Sequence, residues 1–233
     1  RIAYILNARD LNILRDVAMK VMLKGCQANE ADLVRFIHEA QVTGQLEHPS
    51  IVPVYELSID ASEQPYYTMK FVRGRTLKDI LEDILAGNQT TIADYPLTRL
   101  LTIFLKTCDA IAFANAHGVV HRDLKPENIM VGDYGEVLVL DWGLAKLLNV
   151  TDADGRTDDF SIDSLRSDEE TGVALTMDGK VLGTPQFMAP EQALGKQSEI
   201  TARTDVYALG AILYTILTLH PPVEARTVHQ VLM

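Results

Sequence analysis

The feature that most constrains this chain is a polar string of eight residues, HRDLKPEN at 121–128, which is followed thirteen residues after Asn128 by Asp141-Trp142-Gly143. Three short, apolar, β-like segments surround these two motifs: Val119–Val120, Ile129–Val131 and Val137–Leu140. The polar residues therefore fall in loops between short strands. Because loops on a rigid scaffold often carry binding and catalytic residues, the pattern predicts a functional site here.

The residue types in the two motifs point to a particular chemistry. Asn128 and Asp141 offer two oxygen ligands on facing strand ends, and Mg²⁺ prefers such hard oxygen ligands while it keeps waters and phosphate oxygens. Asp123 lies five residues before Asn128 across a tight loop, where a carboxylate can accept or orient a hydroxyl proton. Lys125 adds a fixed positive charge near the group that would be transferred.

Size, composition and charge narrow the class of protein. A chain of 233 residues predicts one large domain or two lobes that share a cleft. It is 47% hydrophobic with mean hydropathy near zero, which is typical of a soluble globular protein. The net charge is −11, of which the acidic stretch 151–170 supplies −6, and no cluster of Lys or Arg offers a surface for nucleic acid or an anionic membrane. We therefore expect neither nucleic acid nor membrane contact within this chain.

Cysteine usage and apolar runs predict the compartment. The two cysteines, Cys26 and Cys108, have no disulfide or zinc-ligand spacing, so a reducing, cytoplasmic location is expected. The longest apolar run, Ala208–Leu219, is about half the length that spans a bilayer. The first residue falls inside a strand pattern without a preceding Met, which predicts a fragment of something longer, such as the cytoplasmic part of a membrane-anchored protein.

Hydrophobic periodicity predicts an α+β architecture. In the first half the expected elements are strands over Ile2–Ala8, Val17–Leu23, Ile51–Ile59 and Tyr66–Val72, and one helix over Glu30–Leu46. In the second half they are a helix capped by Thr76 and ended by Gly87, a longer helix over Leu97–His117 and an apolar helix over Arg203–Leu219. The first half is therefore a mostly antiparallel sheet with one helix, and the second half is mainly helical.

Taken in order, the motifs resemble those of eukaryotic-like serine/threonine protein kinases, in particular bacterial members. The matching motifs are Val17-Ala18-Met19-Lys20, Glu39, HRDLKPEN, Asp141-Trp142-Gly143, Ala189-Pro190-Glu191 and Asp205. The resemblance covers essentially the whole chain. It implies a two-lobed kinase domain that uses ATP and Mg²⁺ and acts on Ser or Thr hydroxyls of proteins, with an N-lobe at 1–72, a C-lobe at 73–233 and an acidic activation-segment insert at 149–180.

The resemblance also implies roles for individual residues. Lys20 would contact the α- and β-phosphates and form an ion pair with Glu39. The resemblance implies catalytic roles for Lys20 and Glu39, together with Asp123 and Lys125. Asn128 and Asp141 would hold the metal. Asp205 would brace the catalytic loop. The expected adenine pocket consists of Ile5, Ala18, Met69, Phe71, Val72 and Met130, where the Lys70–Val72 backbone supplies hydrogen bonds.

Three departures from the family pattern stand out. The third glycine of the phosphate-binding loop is replaced by Ala3, and the first two glycines would precede residue 1. The chain stops at Met233, before the later helices of the family and the arginine that normally pairs with Glu191. Trp142 replaces the usual Phe, and a larger aromatic side chain can still pack behind Asp141.

Two other functions and two modes of control stay open. A nucleotide-binding pseudokinase or scaffold is motivated by Ala3, and a small-molecule phosphotransferase is disfavoured by Glu191. For control, Arg122 would receive a phosphate carried by the activation segment, with Thr176 as the candidate acceptor. Alternatively, the acidic block at 151–170 neutralises Arg122 and makes phosphorylation unnecessary.

Overall fold

The computed structural model describes residues 3–23, 30–148 and 185–223. The first part of the chain forms a four-stranded antiparallel sheet in the order β1-β2-β4-β3, with one helix packed on it. Its elements are β1 (Ala3–Asp10), β2 (Arg15–Met22), α1 (Glu30–Gln45), β3 (Val54–Ile59) and β4 (Pro65–Lys70). This is the sheet-plus-helix half that the sequence predicts.

Strands β1 and β2 form an antiparallel hairpin, and local hydrogen bonds explain its turn. The Asp10 carboxylate accepts hydrogen bonds from the backbone amides of Asn12 and Ile13, at 3.0 and 3.3 Å, so the chain reverses there. Strand β3 begins later than predicted. Ile51 makes only an isolated parallel bridge with Val139, and regular pairing starts at Val54, after Pro53, which has no amide hydrogen to donate.

Helix α1 packs apolar side chains against the sheet. Phe36 and Ala40 join Met22 and Tyr67 in a small core, and Leu33 packs against it. Helix α1 also buries two polar side chains, His38 and Glu39. A buried carboxylate requires hydrogen-bond or ion-pair partners, so this face of α1 must also make polar contacts.

The second part of the chain is mainly helical. Its helices are α2 (Leu77–Leu85), α3 (Gln89–Asp94), α4 (Leu97–Ala116), α5 (Pro190–Ala193) and α6 (Ala202–Thr218), with 3₁₀ turns at Pro126–Asn128, Pro185–Phe187 and Gln197–Glu199. Its strands are β5 (Gly74–Thr76), β6 (Val119–Val120), β7 (Ile129–Gly132), β8 (Val137–Val139) and β9 (Lys146–Leu147). Thr76 caps α2 as predicted, since its hydroxyl accepts from the Asp79 amide and the Asp79 carboxylate accepts in return. Strand β5 and helix α3 were not predicted.

One large core joins α2, α4, α6 and strands β6 to β8. Strands β5, β7 and β8 form a small antiparallel sheet, and β6 pairs with β9. No helix among residues 3–23, 30–148 and 185–223 is long and apolar enough to span a bilayer.

Backbone hydrogen bonds connect the two halves at strand β8. The Val139 amide donates to Ser50 O at 2.8 Å, and the Val52 amide donates to Val139 O at 3.3 Å. One residue after β8, the Leu140 amide donates to Asn128 O at 2.8 Å. The end of β8 is therefore held both to the segment that follows α1 and to the loop at 121–128.

Candidate active site

A cavity of about 960 Å³ lies between the sheet and the helical part, and most of the predicted polar residues face it. Its lining includes the polar side chains of Lys20, Glu39, Asp123, Lys125, Asn128 and Asp141. These residues come from β2, α1, the loop at 121–128 and the segment after β8. The fold thus brings into one cleft residues that are up to 121 positions apart in the chain.

The loop at 121–128 is held from inside the protein. His121 is fully buried, its ring lies 4.6 Å from the Trp142 ring, and its Nδ1 accepts a hydrogen bond from the Asp123 amide at 3.2 Å. The Asp205 carboxylate on α6 accepts from the backbone amides of His121 and Arg122, at 2.9 and 3.0 Å. The predicted brace between Asp205 and this loop is therefore formed.

Asp123 lies at the centre of a short polar network. Its Oδ2 is 2.6 Å from Lys125 Nζ and 3.3 Å from Asn128 Nδ2, and the same amide also donates to Asp123 O at 2.8 Å. Burial raises the pKa of the Asp123 carboxyl, and the positive charge of Lys125 opposes that increase. The network fixes the carboxylate in one orientation towards the cavity.

Asn128 and Asp141 form a set of oxygen donors that fits Mg²⁺. The amide nitrogen of Asn128 is committed to Asp123, which leaves its Oδ1 as an acceptor, and the Asp141 side chain is 53% exposed to the cavity. In the described part of the chain no cluster of three or more His, Cys, Asp and Glu side chains could enclose a metal. A site with two protein oxygens suits a cation that takes its other ligands from phosphate and water.

Lys20 and Glu39 form the predicted ion pair. Lys20 Nζ is 2.5 Å from Glu39 Oε1 and 3.9 Å from Asp141 Oδ1, and the Lys20 and Glu39 side chains are only 17% and 8% exposed. The pair therefore presents the ammonium group inside the cavity between two carboxylates. Because both groups are largely desolvated, leaving either one without its partner would be strongly unfavourable.

Tyr67 also belongs to this cluster, and the sequence did not single it out. Its hydroxyl donates to Glu39 Oε1 at 2.7 Å, and its ring lies 5.7 Å from Lys20 Nζ. Burial, reinforced by the Glu39 charge, raises the pKa of Tyr67 well above its usual value, so the hydroxyl stays a donor. The sequence signal that could have identified it is the alternation of side chains along β4, which places Tyr66 and Tyr67 on opposite faces of the sheet.

The residues predicted to surround adenine do not all line this cavity. Ile5 and Met69 do, together with Ala3, Val52 and Leu140, which are apolar or small side chains at its wall. The other four predicted residues, Ala18, Phe71, Val72 and Met130, are not among its lining residues. Ala18 is buried within the sheet opposite Met69, and Phe71 and Val72 follow the end of β4.

Glu191 has a hydrogen-bond partner among the described residues, whereas Thr176 lies outside them. Glu191 was expected to lack its arginine partner; it is half-buried, and its Oε1 accepts a hydrogen bond from the Thr204 hydroxyl at 2.6 Å. Thr176 and the acidic insert lie outside the described residues. Within them, the Arg122 guanidinium donates to Gln197 Oε1 at 3.1 Å.

Comparison with known proteins gives a consistent picture. The family model described as "Protein kinase domain" matches residues 2–232 of this chain. The chain is 41% identical over 220 residues to the serine/threonine-protein kinase PknD of Protochlamydia amoebophila, covering 93% of this chain and 22% of that protein. It is 38% identical over 225 residues to PknD of Chlamydia muridarum, covering 94% and 23%. The chain thus spans less than a quarter of the length of these curated relatives.

Proposed function

Since the chain belongs to the protein kinase domain family, we propose that it transfers the γ-phosphoryl group of ATP, in the presence of Mg²⁺, to Ser and Thr hydroxyls of proteins. The family itself implies ATP and a divalent metal. The choice of Ser and Thr as acceptors is supported by the names of the PknD relatives, which are serine/threonine-protein kinases.

The observation that carries the proposal is the arrangement around Asp123. A buried carboxylate with a cation, Lys125, at 2.6 Å faces the same cavity as the Lys20–Glu39 pair and the Asn128–Asp141 oxygens. Phosphoryl transfer needs little covalent chemistry from the protein, because positioning and neutralisation of charge supply most of the effect. The cavity provides a base, two cations and oxygen ligands for a metal.

Each residue has a defined task in the reaction. The acceptor hydroxyl oxygen bonds to the γ-phosphorus while the bond from that phosphorus to the β,γ-bridging oxygen breaks, so ADP leaves with the electron pair. Asp123 orients the hydroxyl and accepts its proton. Lys125 stabilises negative charge on the transferred group, and Lys20 holds the phosphates of the nucleotide.

Asn128 and Asp141 are the residues that would hold Mg²⁺. When bound there, the ion neutralises charge on the phosphate oxygens. Lys20 Nζ lies 3.9 Å from Asp141 Oδ1, so the ammonium group and the metal-binding carboxylate act on the same phosphate region.

The pseudokinase alternative has weaker support. It is motivated by Ala3 at the third glycine position of the phosphate-binding loop. Chains that lose activity are free to lose the residues of the chemical step, whereas this chain has Lys20, Asp123, Asn128 and Asp141, all facing one cavity. A small-molecule phosphotransferase is disfavoured by the Ala189-Pro190-Glu191 motif and by the names of the relatives.

The test compares Asp123→Asn and Asp141→Asn with the unchanged full-length protein that contains this domain. We expect transfer of radiolabelled γ-phosphate to a protein acceptor to fall at least about a hundredfold in each variant, since each loses transition-state stabilisation of several kcal/mol. Asp133→Asn, an exposed aspartate in the turn between β7 and β8, is the matched control and should keep the full rate. A full rate in both site variants would overturn the kinase assignment.

A further inference from the structure

Tyr67 contacts helix α1 at two separate points, one of which is the partner of Lys20. Its hydroxyl donates to Glu39 Oε1 at 2.7 Å, the same oxygen that receives Lys20 Nζ at 2.5 Å. Its ring packs against Phe36, one turn earlier on α1, with 5.2 Å between ring centroids. Phe36 and Glu39 are three residues apart and share one face of the helix, so one side chain holds that face at two points.

The sheet fixes Tyr67 relative to Lys20. The two residues are directly paired across β2 and β4, and the ammonium group lies 5.7 Å from the centre of the Tyr67 ring. Tyr67 is 3% exposed, so its position is set by packing on all sides. A rigid, buried hydroxyl is a better anchor for a carboxylate than water, because it gives up little conformational freedom on forming the bond.

We propose that Tyr67 is a positioning residue for the reaction: its hydroxyl fixes Glu39 and, through Glu39, fixes the ammonium group of Lys20 in the nucleotide cavity. The proposal rests on the proposed function, because it assigns Lys20 to the phosphates of ATP. Glu39 with Lys20 as its only hydrogen-bond donor could turn about its side-chain bonds. A second donor on the same oxygen, held by the sheet, removes that freedom.

The chain offers a matched pair of variants. Tyr67→Phe removes one oxygen and keeps the ring against Phe36, so the core stays filled. Tyr66→Phe removes the same atom from the neighbouring residue of β4, whose side chain points to the opposite face of the sheet. Among the described residues the Tyr66 hydroxyl has no hydrogen-bond partner, so Tyr66→Phe should keep wild-type behaviour.

The experiment uses the full-length protein with two measurements, the rate of γ-phosphate transfer as a function of ATP concentration and the Kd of MgATP. We expect Tyr67→Phe to lower kcat/KM for ATP about tenfold, which is the factor typical of losing a modest hydrogen bond to a charged group. The Kd should rise about fivefold. Tyr66→Phe should stay within about twofold of the unchanged protein in both measurements.

A second arm separates positioning from mere structure. In a Lys20→Met background, Tyr67→Phe should change the Kd of MgATP by less than about twofold, because the group it acts through is gone. The same fivefold rise in that background would show a general structural role and overturn the proposal, as would wild-type values for Tyr67→Phe alone. If the unchanged protein binds MgATP but transfers no phosphate, the proposed function fails, and the Kd comparison still decides whether Tyr67 positions Lys20.

Discussion

Asp205 Oδ1 accepts a hydrogen bond from the backbone amide of Arg122 at 3.0 Å, although the two residues are 83 positions apart in the chain. Arg122 has φ = +70°, a left-handed conformation that costs a non-glycine residue about 1–2 kcal/mol. Asp205 Oδ2 binds the preceding amide, of His121, at 2.9 Å. Helix α6 therefore stabilises a strained turn immediately before Asp123.

Asp205→Asn tests this brace. An asparagine amide keeps one acceptor oxygen but turns a donor towards the second backbone amide, so we expect a loss of about 3 kcal/mol in the free energy of unfolding. Urea denaturation followed by circular dichroism measures that loss, and the transfer rate should also fall because Asp123 shifts. Asp109→Asn, at an exposed position of α4, should leave both unchanged. Equal stability of the two variants would contradict the brace.

Nucleotide binding should separate the tasks of Lys20 and Asp123. Lys20→Met removes the cation that the nucleotide phosphates would contact, and we expect the Kd of MgATP to rise about tenfold. Asp123→Asn acts on the acceptor hydroxyl, so the Kd should remain within about twofold of the unchanged value while the transfer rate collapses. Isothermal titration calorimetry measures both, with Lys196→Met, an exposed lysine paired to Glu199, as the control. A tenfold weaker Kd for Asp123→Asn would show that our division of roles is wrong.

Two glycines should respond in opposite directions to the same substitution. Gly74 has φ = +155°, and a Cβ atom there would lie 2.1 Å from Val131 O, so we expect Gly74→Ala to cost about 3 kcal/mol of stability. Gly210 lies inside α6 with open space where a Cβ atom would lie, so Gly210→Ala should add about 0.5–1 kcal/mol of stability. Thermal unfolding of both variants checks the signs. A stabilised Gly74→Ala variant would mean that β5 and β7 do not approach as closely as described.

The stability of the protein in alkali should depend on Tyr67. The folded state keeps this hydroxyl protonated because burial and the Glu39 charge raise its pKa. In the unfolded chain the Tyr67 hydroxyl ionises near pH 10. Between pH 10 and the raised pKa of the folded state, the unfolded state binds fewer protons, and the contribution of Tyr67 to the free energy of unfolding falls by up to about 1.4 kcal/mol per pH unit. Tyr67→Phe lacks this loss. Urea denaturation of the unchanged protein and of Tyr67→Phe between pH 8 and 11 gives the free energy of unfolding at each pH. The two plots of this free energy against pH should be parallel up to about pH 10 and converge above it. Plots that stay parallel throughout would contradict the raised pKa.

Periodicity and capping were enough to predict the longer elements. Helix α2 was expected from the apolar face that follows Thr76, and the Thr76 cap and the end of the helix before Gly87 appear where the sequence places them. Helix α3 was missed because six residues, QTTIAD, do not complete two turns of apolar repeat. Strand β5 was missed because it has three residues and begins with Gly74, which normally indicates a break.

At the candidate site, motif spacing predicted which residues share the cleft better than it predicted their contacts. Lys20 and Glu39 were expected to pair because their motifs occur in a known order. Alternation along β4 could assign Tyr67 to one face of the sheet, but the residue of α1 that it meets depends on how the helix packs. Glu191 shows the same limit, because its bond to Thr204 requires the placement of α5 against α6.

The backbone bonds around Val139 and Leu140 do not involve any of the side chains assigned to chemistry. The spacing between the strand that leads to Asp141 and the loop that carries Asp123 is therefore independent of which side chains occupy those two positions. A substitution confined to a cleft side chain, such as Asp123→Asn, leaves these backbone bonds in place, so loss of phosphate transfer does not require loss of the fold.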